Sequence, residues 1–521
     1  MTAGPWLVGV LLLAFATHAH AQADAGVDDA PVDSADAATN TPQAGGEGPS
    51  ELEATVPPPQ TSPPPPSAEP DWDAAPPPNM ADGFIRAPRD AAAPFRWVPR
   101  VLLFIPRWTL FVIAQPVRLA GWAFERYQLG DRVKQIFFNV DGTFGIFPVA
   151  FFETGFGLNF GARLVHKDLF GKRESIRLRA GFGGRFQQIY GLNASSGDRL
   201  GKRFALSLEA RYERRDKDQF FGIGNGDRVA AEDAMVPIDP ITNDRAVASR
   251  FRQRIMRVMV AGDARLFGDV TLTLSGALMM RRFEPTTAFE GENIADNYMT
   301  DRLVGFANSD SLLGVSNGVQ NLYVEADLRY DTRRRASHYQ SHAVSAAGWL
   351  LSGYFGRMSG VGNDPSSFYR YGTDLQRYID LYRGSRVLAL RILVEATGGT
   401  DGRIDQAIPF IDLPRLGGTV LRGYSADRFA DRSFTLASVE YLWDMGQLFS
   451  AFTFADTGRV WRSLKDFELE EFRLGFGGGI QFHSRDSFVF RIQAAGSKDG
   501  DLLFSLALDP AFSRRGRAGR Y

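Results

Sequence analysis

The sequence predicts an all-β fold, a transmembrane antiparallel β-barrel of about 16 strands. Three observations carry that prediction. Apolar and polar residues alternate with period two, over about ten residues at a time, from about Val133 to Phe512. Beyond the N-terminus, no run approaches the roughly 20 apolar residues that a spanning helix needs. Finally, the connections are unequal: most are short, but Gly222 to Ala248, Glu284 to Gly318 and Thr397 to Arg432 are long. A soluble sandwich also alternates, yet its connections are usually short and its sheet edges must be protected.

Composition agrees with a barrel and excludes other classes. The chain has 521 residues and a formal net charge of −1, so no basic excess points to nucleic acid. Glycine (54) and phenylalanine (41) are abundant, while hydrophobic content is an ordinary 44%. In a barrel, half of each strand faces lipid and half faces water, so average hydropathy looks like that of a soluble protein. The absence of cysteine fits an exported chain that avoids stray disulfides.

Residues 1–21 read as a signal peptide, with an apolar core from Trp6 to Ala16 and a small-x-small cleavage site at Ala19-His20-Ala21. Residues 22–93 are a disordered Pro/Ala-rich tether. Pro57-Pro58-Pro59 and Pro63-Pro64-Pro65-Pro66 favour extended polyproline geometry, and so few large apolar side chains cannot support a core. Residues 94–131 form an apolar helical strap, in which Phe95, Trp97, Leu102 and Trp108 are interrupted by Arg96, Arg100 and Arg107. Pro106 and Pro116 break any long helix there. Two placements fit this strap equally: in the membrane interface with arginines at the headgroups, or packed under the barrel rim.

The barrel spans 132–512, followed by a tail, 513–521. Phe204, Leu206, Leu208 and Ala210 alternate with Ser207, Glu209 and Arg211; Leu322, Val324, Ala326 and Leu328 alternate with Tyr323, Glu325 and Asp327. Ile176 to Gly183 and Phe472 to Gln481 repeat the pattern, whereas Tyr369 to Leu381 alternates poorly. Roughly 380 residues, at about 23 per strand and connection, give about 16 strands. Tyr330, Trp349, Tyr441, Trp443 and Trp461 near strand ends suggest an aromatic girdle.

Within the third long connection, Leu421-Arg422-Gly423-Tyr424 places one arginine beside a glycine and an aromatic. With Glu440 in the next strand and Phe454-Ala455-Asp456-Thr457-Gly458 in the one after, it resembles the BamA/TamA outer-membrane superfamily, the bacterial surface antigen family. Phe220-Phe221-Gly222-Ile223-Gly224-Asn225 and Asp331-Thr332-Arg333 look like further signatures of that family. The resemblance covers roughly Gly142 to Phe512. It implies a bacterial outer-membrane protein whose sixth extracellular loop folds into the lumen, with Arg422 against Asp456 and Glu440 nearby. The alternative is a solvated Arg422, with Asp456 as a strand-end turn former. Because Asp456 shares its strand face with Phe452 and Phe454, it is expected beyond the lipid band or after a bulge.

The resemblance further implies assembly, insertion or translocation of proteins, with lipids as a second class of cargo. The partners would be outer-membrane lipid, client outer-membrane proteins and periplasmic accessory proteins. The seam would lie between the last strand, Leu502–Leu508, and a first strand at Gly145–Phe152 or Val133–Val140. Best-known family members carry periplasmic capture domains before the barrel; no strand–helix–strand pattern for them occurs here. A loop-gated channel or secretion pore is the alternative reading, and a membrane-embedded hydrolase a third.

No catalytic, cofactor or metal site is expected. His338 and His342 would share a face only on a helix, and Asp227 to Asp244 lacks calcium-loop spacing. Gly475-Phe476-Gly477-Gly478-Gly479 sits inside an alternating strand, so it is not a dinucleotide loop. Arg333-Arg334-Arg335 reads as a solvated rim.

Overall fold

A computed structural model describes residues 136–512, except 154–156, 184–186, 229–244, 247, 287–292, 295–311, 316, 335–346, 383–384, 400–407, 445–448, 484–487 and 508–511. The signal, tether and strap, the tail 513–521, His338 and His342, and most of Asp227 to Asp244 therefore lie outside the described residues.

Sixteen strands form one antiparallel sheet in strict chain order. They are β1 (Phe144–Glu153), β2 (Gly157–His166), β3 (Ser175–Gly183), β4 (Gln187–Ser195), β5 (Phe204–Phe220), β6 (Ser249–Arg265), β7 (Val270–Glu284) and β8 (Val319–Asp331). The second half is β9 (Gly348–Gly360), β10 (Ser367–Asp380), β11 (Arg386–Gly399), β12 (Ser433–Asp444), β13 (Phe449–Trp461), β14 (Arg473–His483), β15 (Phe488–Ser497) and β16 (Leu502–Ala507). The poorly alternating stretch is β10, a regular strand whose inner face mixes Phe368 and Tyr378 with Arg370, Asp374 and Gln376. The three long connections, 221–248, 285–318 and 400–432, follow β5, β7 and β11, so all leave from the same end of the sheet. The first strand is β1, which covers the Gly145–Phe152 option; residues 136–143 instead turn back, Phe138 bridging Gly145 and stacking on Phe147.

Exposure follows the alternation. Phe204, Leu206, Val324, Leu328 and Phe476 stand outward and exposed, while Tyr323, Glu325 and Asp327 on the opposite face are buried. In water such an outer surface would be a large apolar patch; against lipid it is the favourable arrangement.

The sheet curls so that its polar face is enclosed. In a flat sheet, eight spacings of about 4.8 Å would put β5 and β13 about 38 Å apart. Yet Asn225, a few residues past the end of β5, donates through Nδ2 to the Val460 carbonyl of β13 at 2.7 Å and accepts from the Val460 N–H at 3.1 Å. So short a linker cannot cross that distance, so the two strands face each other across a lumen.

Tyr330, Trp349 and Trp443 are exposed at the end opposite the long connections. Trp461 is not part of this girdle. It lies at the other end, buried at 4% exposure, under Phe467 and Phe472 of the β13–β14 connection. Arg333 also departs from a solvated rim: its guanidinium returns to Asp331 at 2.7 and 2.8 Å and lies 5.8 Å from the Tyr378 ring.

Candidate functional site

The described part of the β11–β12 connection, 408–432, lies in the enclosed space. Leu416, Leu421, Tyr424 and Phe429 are buried with Phe434 and Leu436 of β12 and Val460 of β13. Arg415–Leu416 pairs with Phe429–Ala430 in a two-rung antiparallel ladder, closing the tip into a hairpin. Gly423 sits at φ +95°, a conformation that side-chain-bearing residues avoid, and a Cβ there would meet the Gly496 carbonyl of β15. Gly475 of β14 makes the reciprocal allowance, because a Cβ would overlap the Arg422 carbonyl.

Arg422, 5% exposed, has its guanidinium satisfied by two carboxylates. Its Nε donates to Asp456 Oδ2 at 2.6 Å and its Nη2 to Oδ1 at 2.7 Å. The backbone N–H donates to the same Oδ2 at 3.1 Å, and Nη1 donates to Glu440 Oε2 at 2.5 Å. This bidentate fork is the geometry in which a guanidinium best recognises a carboxylate. Burial alone would lower the basicity of Arg422, but the hydrogen bonds and charges of Asp456 and Glu440 raise it, so the residue stays protonated. Tyr424 packs edge-on against Phe429 at 5.1 Å. Burial and the nearby Asp499 carboxylate push its hydroxyl up to about 12.

The strand carrying Asp456 corrects the parity expectation. Asp456 is mid-strand, neither beyond the alternation nor behind a bulge; both ladders of β13 run without a register shift. Phe452, Phe454 and Asp456 all face inward and are buried, and the outer face carries Ala451, Thr453 and Ala455. The rings are inside because they support cations: the Arg422 guanidinium lies 3.6 Å from the Phe454 centroid and that of Arg491 3.7 Å from Phe452.

Arg491 of β15 completes the site, donating Nη2 to Glu440 Oε2 at 3.0 Å. Two guanidiniums and two carboxylates thus form a neutral, buried cluster of four charges. Sequence reasoning missed Arg491. The available signal was charge balance: one arginine cannot neutralise both Glu440 and Asp456, and Arg491 alternates with Gln493 on the polar face of its strand. Gly458 lies beside Leu416, where there is room for little beyond a hydrogen.

A family model described as the Omp85 superfamily domain matches residues 168–485, more than half of the chain and all of this site up to β14. The chain belongs to the Omp85 superfamily. Its all-β outer-membrane barrel is therefore the architecture that the motif order implied. Solved structures similar to this Omp85 barrel include BamA from Haemophilus ducreyi lacking POTRA domains 1–3, at 15% identity and TM-score 0.49, covering 70% of this chain and 69% of that one. CdiB from Escherichia coli is similar at 11% identity and TM-score 0.40, covering 70% and 60%. CdiB from Acinetobacter baumannii is similar at 10% and 0.38, covering 67% and 56%. This Omp85 chain thus spans less than two thirds of either CdiB chain. No curated protein matches it.

In this Omp85 barrel the Phe220–Asn225 segment docks on the loop. Gly224 N–H donates to the Ala430 carbonyl at 2.7 Å, and Arg428 donates Nη2 to the Gly226 carbonyl at 2.6 Å while lying 4.6 Å from the Phe429 ring. A second anchor, unforeseen in the sequence, holds the entry to the loop. Phe410 meets the rings of Phe220, Phe251 and Phe283 edge-on at 5.4, 5.7 and 5.0 Å. Asp412 accepts from Arg281 Nη1 of β7 at 2.5 Å, and its carbonyl accepts from Arg370 Nη2 of β10 at 2.6 Å.

Proposed function

We propose that this barrel acts without covalent chemistry in the assembly, insertion or translocation of proteins at the bacterial outer membrane. The observation carrying this reading is the contrast between a rigidly filled lumen and a weak lateral seam. The loop is tied to β7, β12 and β13 by buried ion pairs and to β10 by a hydrogen bond from Arg370 to the Asp412 carbonyl. The terminal strand β16, by contrast, makes only the six pairings Arg491↔Ala507 to Gly496↔Leu502, and among the described residues no ladder joins it to β1. A strand with unpaired N–H and C=O groups is a template for an incoming strand. The clients are outer-membrane proteins, with periplasmic accessory proteins and lipid as partners, and the N-terminal segment faces the periplasm.

The chain has no cysteine, so a disulfide engineered between β1 and β16 is unambiguous. Locking the seam should abolish insertion of a reporter barrel protein into liposomes, with recovery on reduction. Full activity of the locked barrel would contradict the proposal. The density of the luminal loop bears on the second reading, a loop-gated secretion pore. Steady large conductance of the wild type in planar bilayers would favour that pore. The hydrolase reading gains nothing from the Ser450–His483 contact at 3.0 Å, because both side chains are buried on the luminal face rather than presented to lipid.

A further inference from the structure

We propose that the outer face of the barrel carries a binding site for a phosphorylated lipid of the cell-surface leaflet. Arg214, Arg254 and Arg282 of β5, β6 and β7 hold its phosphates, and an apolar groove beside them receives its acyl chains.

The three arginines form one row across the sheet. Arg214 is the register partner of Arg254, and Arg254 is the partner of Arg282. The residues before them, Glu213, Gln253 and Arg281, are buried on the luminal face, so the row points outward. Adjacent strands are about 4.8 Å apart, which brings three positive charges within about 10 Å, and like charges directly opposite each other repel. Arg250 and Arg252 occupy the next outward positions of β6. Asp216 holds Arg252 at 2.7 Å and Glu284 holds Arg254 at 2.9 Å, so two carboxylates are interleaved among five arginines. A phosphate relieves that surplus, and the guanidinium fork suits its oxygens.

The height of the row matches a headgroup. Tyr330 of the aromatic girdle pairs with Val270 of β7, and Arg282 lies twelve residues further along that strand. At about 3.4 Å per residue and a tilt of about 40°, this is about 30 Å of height, just beyond an apolar band about 25 Å tall. The row therefore stands at the far interface, at the end carrying the long connections, which is the cell-surface end of an outer-membrane barrel.

The groove is an independent observation. Ala162, Ala180 and Ala210 are its low points, and Leu178, Tyr190 and Met256 stand exposed around them. It reaches the row directly, because its Tyr212 and Met256 pair with each other one outward position below Arg214 and Arg254. Charge at the interface and an apolar furrow toward the bilayer midplane together fit an anionic lipid rather than a free anion. The site rests on the outer-membrane placement of the barrel and not on the seam, so lipid binding and insertion activity are separate readouts.

Titration of the full-length barrel in detergent micelles with lipid A, a diphosphorylated glycolipid, read by native mass spectrometry, tests the site. The triple variant Arg214→Gln/Arg254→Gln/Arg282→Gln should bind at least tenfold more weakly while keeping heat-modifiable mobility. The corresponding triple lysine variant, which keeps the charge and loses the fork, should fall between it and wild type. Arg357→Gln, exposed on the outer face of β9, should bind as wild type does. Ala180→Trp, which fills the groove, should weaken binding several-fold. Wild-type affinity in the triple glutamine variant would overturn the proposal, as would an equal loss in Arg357→Gln. Displacement of lipid A by equimolar inorganic phosphate would also overturn it, by showing a site for free anions.

Discussion

The two ends of the luminal loop are held by different physics. At the tip, Arg422 joins Glu440, Asp456 and Arg491 in a neutral cluster with almost no exposure. At the entry, Phe410 sits among three rings and a single ion pair, Arg281–Asp412, assists. The tip anchor is directional and all-or-none: each charge is tolerable only because the others are present, and removing one leaves an uncompensated charge in a low-dielectric interior. The entry anchor is mostly apolar area, which degrades in proportion to the atoms removed. Tip mutations should therefore release the loop abruptly, and entry mutations should loosen it locally.

The largest effect is expected from Arg422→Glu. It gathers three carboxylates around Arg491, and a loss on the order of 3–5 kcal/mol or more in loop docking follows from breaking a buried pair. Protease cleavage within 416–432 should become fast while the barrel keeps its folded, heat-modifiable mobility. Phe410→Ala should cost about 3–5 kcal/mol of local packing, but expose only 408–415 to protease, leaving 421–424 protected. If both variants open the same cleavage sites, the loop is one cooperative unit and the distinction between anchors fails. Gly475→Ala, with its methyl overlapping the Arg422 carbonyl, should cost about 1–3 kcal/mol by overpacking and give intermediate protection.

The smallest expected effect is a pH dependence of the loop's return to the wall. Burial pushes the Asp431 carboxyl up to about 6, against the opposing backbone hydrogen bond from Arg432. A carboxyl raised in the folded state binds more protons folded than unfolded. Its contribution to stability therefore falls as pH rises from about 4 to about 6. Asp431→Asn should abolish that share of the pH dependence, and thermal melts of the two proteins across this window should converge at the acid end and separate toward neutral pH. A constant separation would contradict the burial effect.

Much of this molecule was legible before any coordinates, for identifiable reasons. Period-two alternation is a local signal, so the strands, their approximate number and the greasy outer face could be read from residues such as Phe204–Tyr212. The family followed from the order of short motifs. What failed to show was whatever depends on two distant segments meeting. Phe410 finds its partners on β5, β6 and β7, and nothing in Pro409-Phe410-Ile411-Asp412 announces aromatic neighbours more than a hundred residues away. Alternation also identifies two faces without saying which is inside. On β13 the usual assignment inverts, because phenylalanines face the lumen to support guanidiniums and alanine and threonine face lipid. Arg491 escaped notice because arginine on the polar face of a barrel strand is ordinary until its partner is known.

The most direct test of the four-charge tip is a double-mutant comparison of Arg422→Ala with Arg422→Ala/Asp456→Ala, read as the rate of protease cleavage within 416–432 of the folded barrel. The single variant leaves Glu440 and Asp456 facing Arg491 alone. The second substitution removes the surplus carboxylate and restores neutrality to Arg491–Glu440. The account predicts that the single variant loses protection and that the double variant is no worse, recovering part of it. Unchanged protection in Arg422→Ala, or additive loss in the double variant, would contradict a cluster of mutually dependent charges.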